Sequence, residues 1–379
     1  MCMPLAGTGA PNTTNLMLHA NFFAVGSTAT GPRGRTKFAS PHWIMADLGH
    51  AVDKRHYLNA ELMLTFEKWT FPRGGYPLLL QEGESNKNDV PYIDAQHPHS
   101  SPIMGLTLSD TIRLNDQDFL KIFFAPRGQS SSGPIAFMHR TTGMVNPDAP
   151  LGHHVGQDVG HITSTVIGST LKLDSWWFEA SAFHGEEPEP MNVDLPLGVP
   201  NSGAFRLSHR FSNEWLAMAS AAYVKDPEAH HQGAGADHVW LYSATAYGSM
   251  RLCDQFTLDN TFIVGLAQNY SGADSLVSVG EEFAISEAAH RFWGRIEALE
   301  RTPGQLAITS VADRTDGRWV GAATLGYSRR TNFFRDLEFA MGVSGTKNIL
   351  PKEYLATYGG NPWTAKVFVQ IGGMGMWRF

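Results

Sequence analysis

The sequence has very little cysteine. Only Cys2 and Cys253 occur in 379 residues, with no C-x-x-C pair and no C-x-x-C-H. That excludes a disulfide scaffold, a zinc ribbon and a c-type haem attachment. Basic charge is also sparse. The net charge is −7 and no block of five basic residues occurs, so no nucleic-acid partner is expected. No run of eighteen apolar residues is present, which leaves no helix able to cross a bilayer. A repeat of fixed period is absent too, against a propeller or solenoid. The opening stretch "MCMPLAGTGAPNTTN" has neither a basic n-region nor an apolar h-region. Either there is no export signal or the numbered chain starts after it. Cys2 fits a lipidated cysteine of a mature lipoprotein or an ordinary thiol in a loose end.

What the chain does have is alternation. In "YLNAELMLTFEKWTF", Leu58, Leu62, Leu64 and Phe66 share one parity, while Asn59, Glu61, Thr65 and Glu67 share the other. A helix would scatter these around its circumference, whereas a strand sorts them onto two faces. "FTLDNTFIVGLA" and "WTAKVFVQIGG" repeat the pattern, the latter with Trp363, Val367, Val369 and Ile371 against Lys366 and Gln370. The segments are longer than the usual five or six residues of a soluble strand. They suit tilted strands that cross a membrane in roughly 9–11 residues.

The connections alternate in length. Short links such as "DKRH", "NDQD", "KLDS", "SNE" and "CDQ" take turns with long ones. The long set runs from "GPRGRTKFASP" through two loops of about thirty residues to "TKNILPKEYLATYGGN", and "SGAD" is counted with it. Short turns on one rim and long loops on the other are the mark of a transmembrane β-barrel, with the short side periplasmic. The pattern predicts an all-β fold: one antiparallel transmembrane barrel of about sixteen strands over residues 15–379, after a flexible segment 1–14. A β-sandwich or propeller would explain the alternation but not the alternating loop lengths. Trp43, Trp69, Trp176, Trp177, Trp215, Trp240 and Trp363 fall near the expected strand ends, where interfacial girdles belong.

Histidine carries the candidate chemistry. Ten of the sixteen lie between residues 97 and 238 in or beside the long loops, including His184, His230, His231 and His238. The densest groups are "DAQHPH", "FMHR" and "GHHVGQDVGH", and they offer Asp94, His97, His99, His139, His153, His154 and His161 as metal ligands. Neutral imidazole binds copper, zinc, nickel or iron when three or four donors converge. His97 and His99 share a face only in an extended segment, which Pro98 favours. Met138 or Met144 would add a soft sulfur. Hydrogen bonding to loop backbone, as anchors of a plug, explains the same histidines without a metal. Loops this long normally have a function or fold inward. Glu61, Glu67, Arg295 and Glu297 are expected on the lumen wall, as an ion-permeation lining or as an ion-pair lattice.

Two resemblances extend this pattern. The end "VFVQIGGMGMWRF", closing on Phe379, resembles the terminal strand of bacterial outer-membrane barrels, whose last aromatic is read by the barrel-assembly machinery. "GYPLLLQEGES", "IDAQHPH", "FMHR", "APLGHH" and "RIEALE" together resemble a family of bacterial outer-membrane proteins met beside heavy-metal and copper resistance functions. That likeness spans roughly residues 15–379 and implies a location and a metal theme, the family having no established activity to transfer. The expected function is a porin-like outer-membrane channel or receptor for small polar solutes or metal ions, copper or zinc among them. Its surroundings would be outer-membrane lipid and lipopolysaccharide, with a periplasmic partner or a second copy as further contacts. The alternatives are a barrel hydrolase and a sheath around a periplasmic cytochrome. For the hydrolase, Ser208 and His209 adjoin on one strand and point to opposite faces, and no G-x-S-x-G elbow occurs.

Overall fold

A computed structural model describes residues 11–379 except 87, 89, 100, 101, 191, 228–236, 335 and 336. Cys2, His230 and His231 lie outside the described residues. The chain begins with β1 (Thr14–Ala29), the short β2 (Thr36–Ala39), β3 (His42–Ala51) and β4 (His56–Leu64). A one-turn helix α1 (Glu67–Thr70) and two strands, β5 (Tyr76–Ser85) and β6 (Pro91–Gln96), follow. Next come β7 (Ile103–Arg113), β8 (Phe119–Gly128), β9 (Thr163–Leu173), β10 (Trp176–His184) and β11 (Ser202–Arg210). The series continues with β12 (Trp215–Lys225), β13 (His238–Arg251), β14 (Thr257–Tyr270), β15 (Ala273–Glu287) and β16 (His290–Arg301). It ends with β17 (Arg318–Phe334), β18 (Leu337–Ile349), a second one-turn helix α2 (Leu355–Tyr358) and β19 (Trp363–Arg378).

All but β5 and β6 join one sheet of 17 segments, in which β2 and β3 are successive parts of a single wall strand paired to β1. The wall therefore has sixteen antiparallel strands. It closes where β1 meets β19, in register from Asn15↔Arg378 to Ala29↔Thr364. Closure leaves the wall no open edge, so its strand backbones are satisfied without water.

The two parities of each strand meet different solvents. Leu325, Val367 and Ile296 face outward, each more than half exposed, while Ser328, Lys366 and Glu297 face inward and are buried. A continuous outward apolar belt over a polar interior is a barrel built for lipid. On β14 the lipid face carries Phe262 and Val264 and the lumen face carries Thr261 and Ile263. Val264→Arg should destabilise the folded barrel by about 2–4 kcal/mol, the cost of a cation near the bilayer midplane. Asn59→Lys, placed in the lumen beside Asp47, should cost far less, because Asn59 already donates to the Asp47 carboxylate at 2.7 Å. Urea titration of folding into vesicles compares the two, and equal costs would contradict the assigned faces.

Several local features differ from the sequence pattern. Trp43 and Trp177 are buried in the lumen, not in a girdle, whereas Trp69, Trp176, Trp215, Trp240 and Trp363 are exposed. Adjacent strand residues point opposite ways, so Trp176 and Trp177 cannot both reach the interface. The "SGAD" connection is a tight hairpin, with Tyr270 paired to Ala273 and positive φ at both Ser271 and Gly272. That backbone is the two-residue turn that matches strand twist. Glu67 lies in α1 rather than on a wall strand, and Thr65 is fully buried just past β4.

The two longest loops fold into the barrel. The first, residues 65–102, carries α1 and the β5–β6 hairpin. The second, residues 129–162, contains a 3-10 turn at Phe137–His139, a π turn at His153–Gln157 and a 3-10 turn at Val159–His161. The second loop spans the lumen: Gly133 N bonds Ser220 Oγ on β12 at 2.9 Å, and Asn21 on β1 donates to Met144 O at 3.0 Å. β1 and β12 lie on opposite sides of the sixteen-strand ring. Ion pairs tie the same loop to the wall, Arg140 to Glu282 at 2.8 Å and Asp148 to Lys366. The hairpin is held by Arg301 on β16, which donates to Leu80 O at 3.1 Å and to Gln81 Oε1 at 3.0 Å. Burying loop backbone is tolerable here because a polar wall supplies partners.

Candidate functional site

The site is built where the two inward loops touch. "GHHVGQDVGH" cannot run as a regular helix, because Gly156 has φ +72° and lies hard against β13 and β14. A Cβ at that position would sit 2.6 Å from Leu266 N and 2.8 Å from Tyr242 O. Ser278 Oγ donates to Val155 O at 2.6 Å and fixes the same turn from β15. His153 and His154 open this wall-anchored turn, and Asp158 and His161 follow in the next turn. On the other loop, α1 brings Glu67 to His99. Its carboxylate accepts from His99 N at 3.0 Å and from His99 Nδ1 at 2.7 Å.

Five of the seven predicted ligand residues come together. The rings of His97 and His154 lie 5.5 Å apart, His153 and His154 4.6 Å, His153 and His161 4.7 Å, and His99 and His161 5.2 Å. All five are buried. One donor atom from each of His97, His153, His154 and Glu187 lies within 4.8 Å of the others, and so does one from each of His153, Asp158 and His161. His153 belongs to both groups.

Outer partners orient the rings. His153 Nδ1 bonds the Asp158 carboxylate, His161 Nδ1 bonds Asp158 O at 2.9 Å, and His99 Nδ1 bonds Glu67. An imidazole whose Nδ1 proton is given to a carboxylate or carbonyl presents Nε2 as the ligand atom, as histidines commonly do at metal sites. Burial sets the protonation as well. It pushes His97 well below the ordinary imidazole range, with the neighbouring His154 adding to the effect. His161 is also held well below, by burial and then by His153. For His99 burial works against the charged form, yet Glu67 outweighs it and raises the pKa. Asp158 stays ionised despite burial because His153, His161 and Arg140 surround it. His97 and His161 are thus held neutral beside the Asp158 carboxylate, and imidazole nitrogen with carboxylate oxygen fits a divalent first-row metal ion.

Asp94 and His139 sit elsewhere. The Asp94 carboxylate accepts from Leu80 N at 2.8 Å, Tyr358 Oη at 2.8 Å and Arg33 at 2.9 Å, clamping the hairpin to two other long loops. Asp94 and Leu80 both adopt positive φ, so this clamp holds strained backbone in place. His139 packs edge-on to Trp43 at 5.0 Å, and burial lowers its pKa to about 4. Among the wall residues, Arg295 and Glu297 point inward as expected, with Arg295 Nε 3.1 Å from Glu282 and Glu297 accepting from Leu151 N at 2.5 Å. Both hold the plug. Glu61 faces the lumen on β4, opposite Asp47 of β3 in register.

Sequence reasoning missed Glu187 and Glu82. Glu187 sits in "GEEPEP" between β10 and β11, 26 residues beyond His161, and Glu82 Oε2 lies 3.9 Å from His154 Nδ1. No local spacing links either acid to a histidine. Ser208 and His209 form no pair: Ser208 is buried in the lumen, while His209 packs on the exposed Trp176 at 4.0 Å on the outer face.

No protein-family model and no curated protein matches the chain. Solved structures do. OmpF of Salmonella typhi, in complex with daunomycin, aligns with a TM-score of 0.56 at 9% identity, covering 96% of this chain and 97% of that one. The outer membrane channel DcaP of Acinetobacter baumannii aligns at 0.54 and 10% identity, covering 97% and 100%. At such identities the likeness is one of fold, a porin-like outer-membrane barrel. With the apolar belt, that fold places the chain in the bacterial outer membrane.

Proposed function

We propose that this barrel is an outer-membrane receptor or channel for a divalent transition-metal ion, bound inside the lumen by His97, His153 and His154 with Glu187. The observation that carries it is the convergence of those four donor atoms within 4.8 Å, drawn from three loops far apart in sequence. Tetrahedral nitrogen and oxygen sites suit zinc, and imidazole also suits copper and nickel. The resemblance to outer-membrane proteins met beside heavy-metal resistance supports the same class. DcaP is a channel, and a shared wall fold supports passage here too. The plug argues against a wide, general pore: two loops bonded to opposite walls leave small cavities rather than one open path. The barrel-assembly machinery would read the exposed Phe379, and lipopolysaccharide would surround the long-loop rim.

Purified protein in detergent should take up Zn(II) in stoichiometric amount, measured by equilibrium dialysis and elemental analysis. Reconstituted vesicles loaded with a zinc-sensitive dye should report entry at a rate above that of empty vesicles. Absence of stoichiometric binding would overturn the metal reading. Binding without entry would make the protein a receptor and not a channel.

A further inference from the structure

We infer that the plug holds a second cation position, made by His99 and His161 and adjacent to the first across His153. It rests on the proposed metal reading for the first group and adds a site to it. The Nε2 atoms of His99 and His161 are 3.1 Å apart. Glu67 and the Asp158 carbonyl can only accept, so both Nδ1 atoms carry hydrogens. Two neutral imidazoles in that tautomer would set two nitrogen lone pairs against each other. A positive centre between them, a proton or a metal ion, removes that repulsion.

The spacing is compatible with either centre, and we take the metal. A four-coordinate ion about 2.0–2.1 Å from each nitrogen needs the nitrogens roughly 3.3 Å apart. Further donors stand ready, since His153 and Asp158 lie within 4.8 Å of His161 by their ligand atoms. The ligand class is therefore a divalent borderline cation such as Co(II) or Zn(II), as at the first position.

Each position borders its own cavity at the long-loop end of the barrel, on different sides of the wall. His154 and Glu187 of the first group line a cavity under the long-loop ends of β10, β13 and β14, beside Phe183, Leu241 and Tyr270. His99 of the second lines a different cavity, against the wall at β1 and β3, with Met104, Met138 and Met144. A smaller cavity bounded by His97, His99, His153 and His154 lies between. The intervening cavity and the shared His153 connect the two positions. Ligand exchange at His153 moves the ion one step without leaving it bare in the plug.

Co(II) titration of the full-length protein in detergent tests this, with the absorption spectrum and elemental analysis read together. The wild type should bind two ions. The double variant His99→Gln/His161→Gln should bind one, with the first position's spectrum retained. The double variant His97→Ala/His154→Ala should also bind one, with the complementary spectrum. Circular dichroism and detergent-dependent monodispersity check that each variant keeps the barrel. A wild type that binds one ion, lost with His97 and His154 but indifferent to His99 and His161, would overturn the second position and leave the first standing. The His99–His161 contact would then hold a shared proton. A wild type that binds no ion would overturn both.

Discussion

Replacing His153 with Ala should weaken Zn(II) binding by more than the 10–100-fold typical of losing an outer-shell partner. His153 is shared by both donor groups, and its Nδ1 is held by Asp158, so no neighbouring ring can take its place. The barrel should remain folded, because the wall ladder does not involve the loop. His139→Ala is the matched control. It removes a buried histidine that packs on Trp43 outside both groups and should leave affinity unchanged. Isothermal titration of the two variants side by side decides the matter: equal affinities would remove His153 from the site. Acid should compete with the metal, since protons and ions seek the same nitrogens. Burial holds His97 and His161 well below the ordinary imidazole range. Their neutral form therefore persists below pH 6.5, and proton competition at these two ligands sets in at lower pH than for an exposed histidine.

Glu282→Ala should open the plug. The Glu282 carboxylate lies between two buried guanidinium groups, accepting from Arg140 Nε at 3.1 Å and Nη2 at 2.8 Å and from Arg295 Nε at 3.1 Å, with Thr142 Oγ1 at 2.8 Å. Its removal leaves two buried cations facing each other without the shared acid. Breaking a buried pair in this way costs about 3–5 kcal/mol. The wall backbone is untouched, so the penalty falls on docking of residues 129–162 and not on barrel closure. Single barrels in planar bilayers should then show larger and more frequent conductance steps than the wild type. Glu282→Gln, which keeps hydrogen-bonding capacity without the charge, should fall between the two. Unchanged conductance in Glu282→Ala would mean that the loop is held by its other ties, Lys366 and the β12 and β1 contacts, or that it does not close the path.

The barrel was legible because its physics is local. A strand of period two inserted between water and lipid must sort its side chains residue by residue, so Leu58, Val264 and Val367 declare their face without knowledge of any neighbour. Loop length then reports which rim a connection occupies. The same local rule misled at Trp43 and Trp177, where proximity to a strand end suggested a girdle and parity had already turned the ring inward. The tight Ser271–Gly272 turn was hidden among long loops for a similar reason, since only the backbone shows positive φ at both residues.

The histidine stretches marked a region, and by themselves they could not select a site. Residue type and an extended H-x-H segment made His97 and His99 candidates, but whether they meet His153 and His161 depends on how two loops cross a lumen about sixteen strands around. That crossing is decided by long-range pairs such as Arg140–Glu282, Asp148–Lys366 and Arg301–Leu80, none of which has a spacing that sequence can show. Other long-range contacts hold Asp94 away on Arg33 and Tyr358, and Glu187, whose N–H bonds Pro227 O, comes in from a loop that carried no signal. Alternation together with loop length thus determined a lipid-facing barrel and its polar interior, because solvent acts on each residue separately. Only the tertiary structure decided which acids and imidazoles share a buried space, because convergence there is a property of pairs distant in the chain.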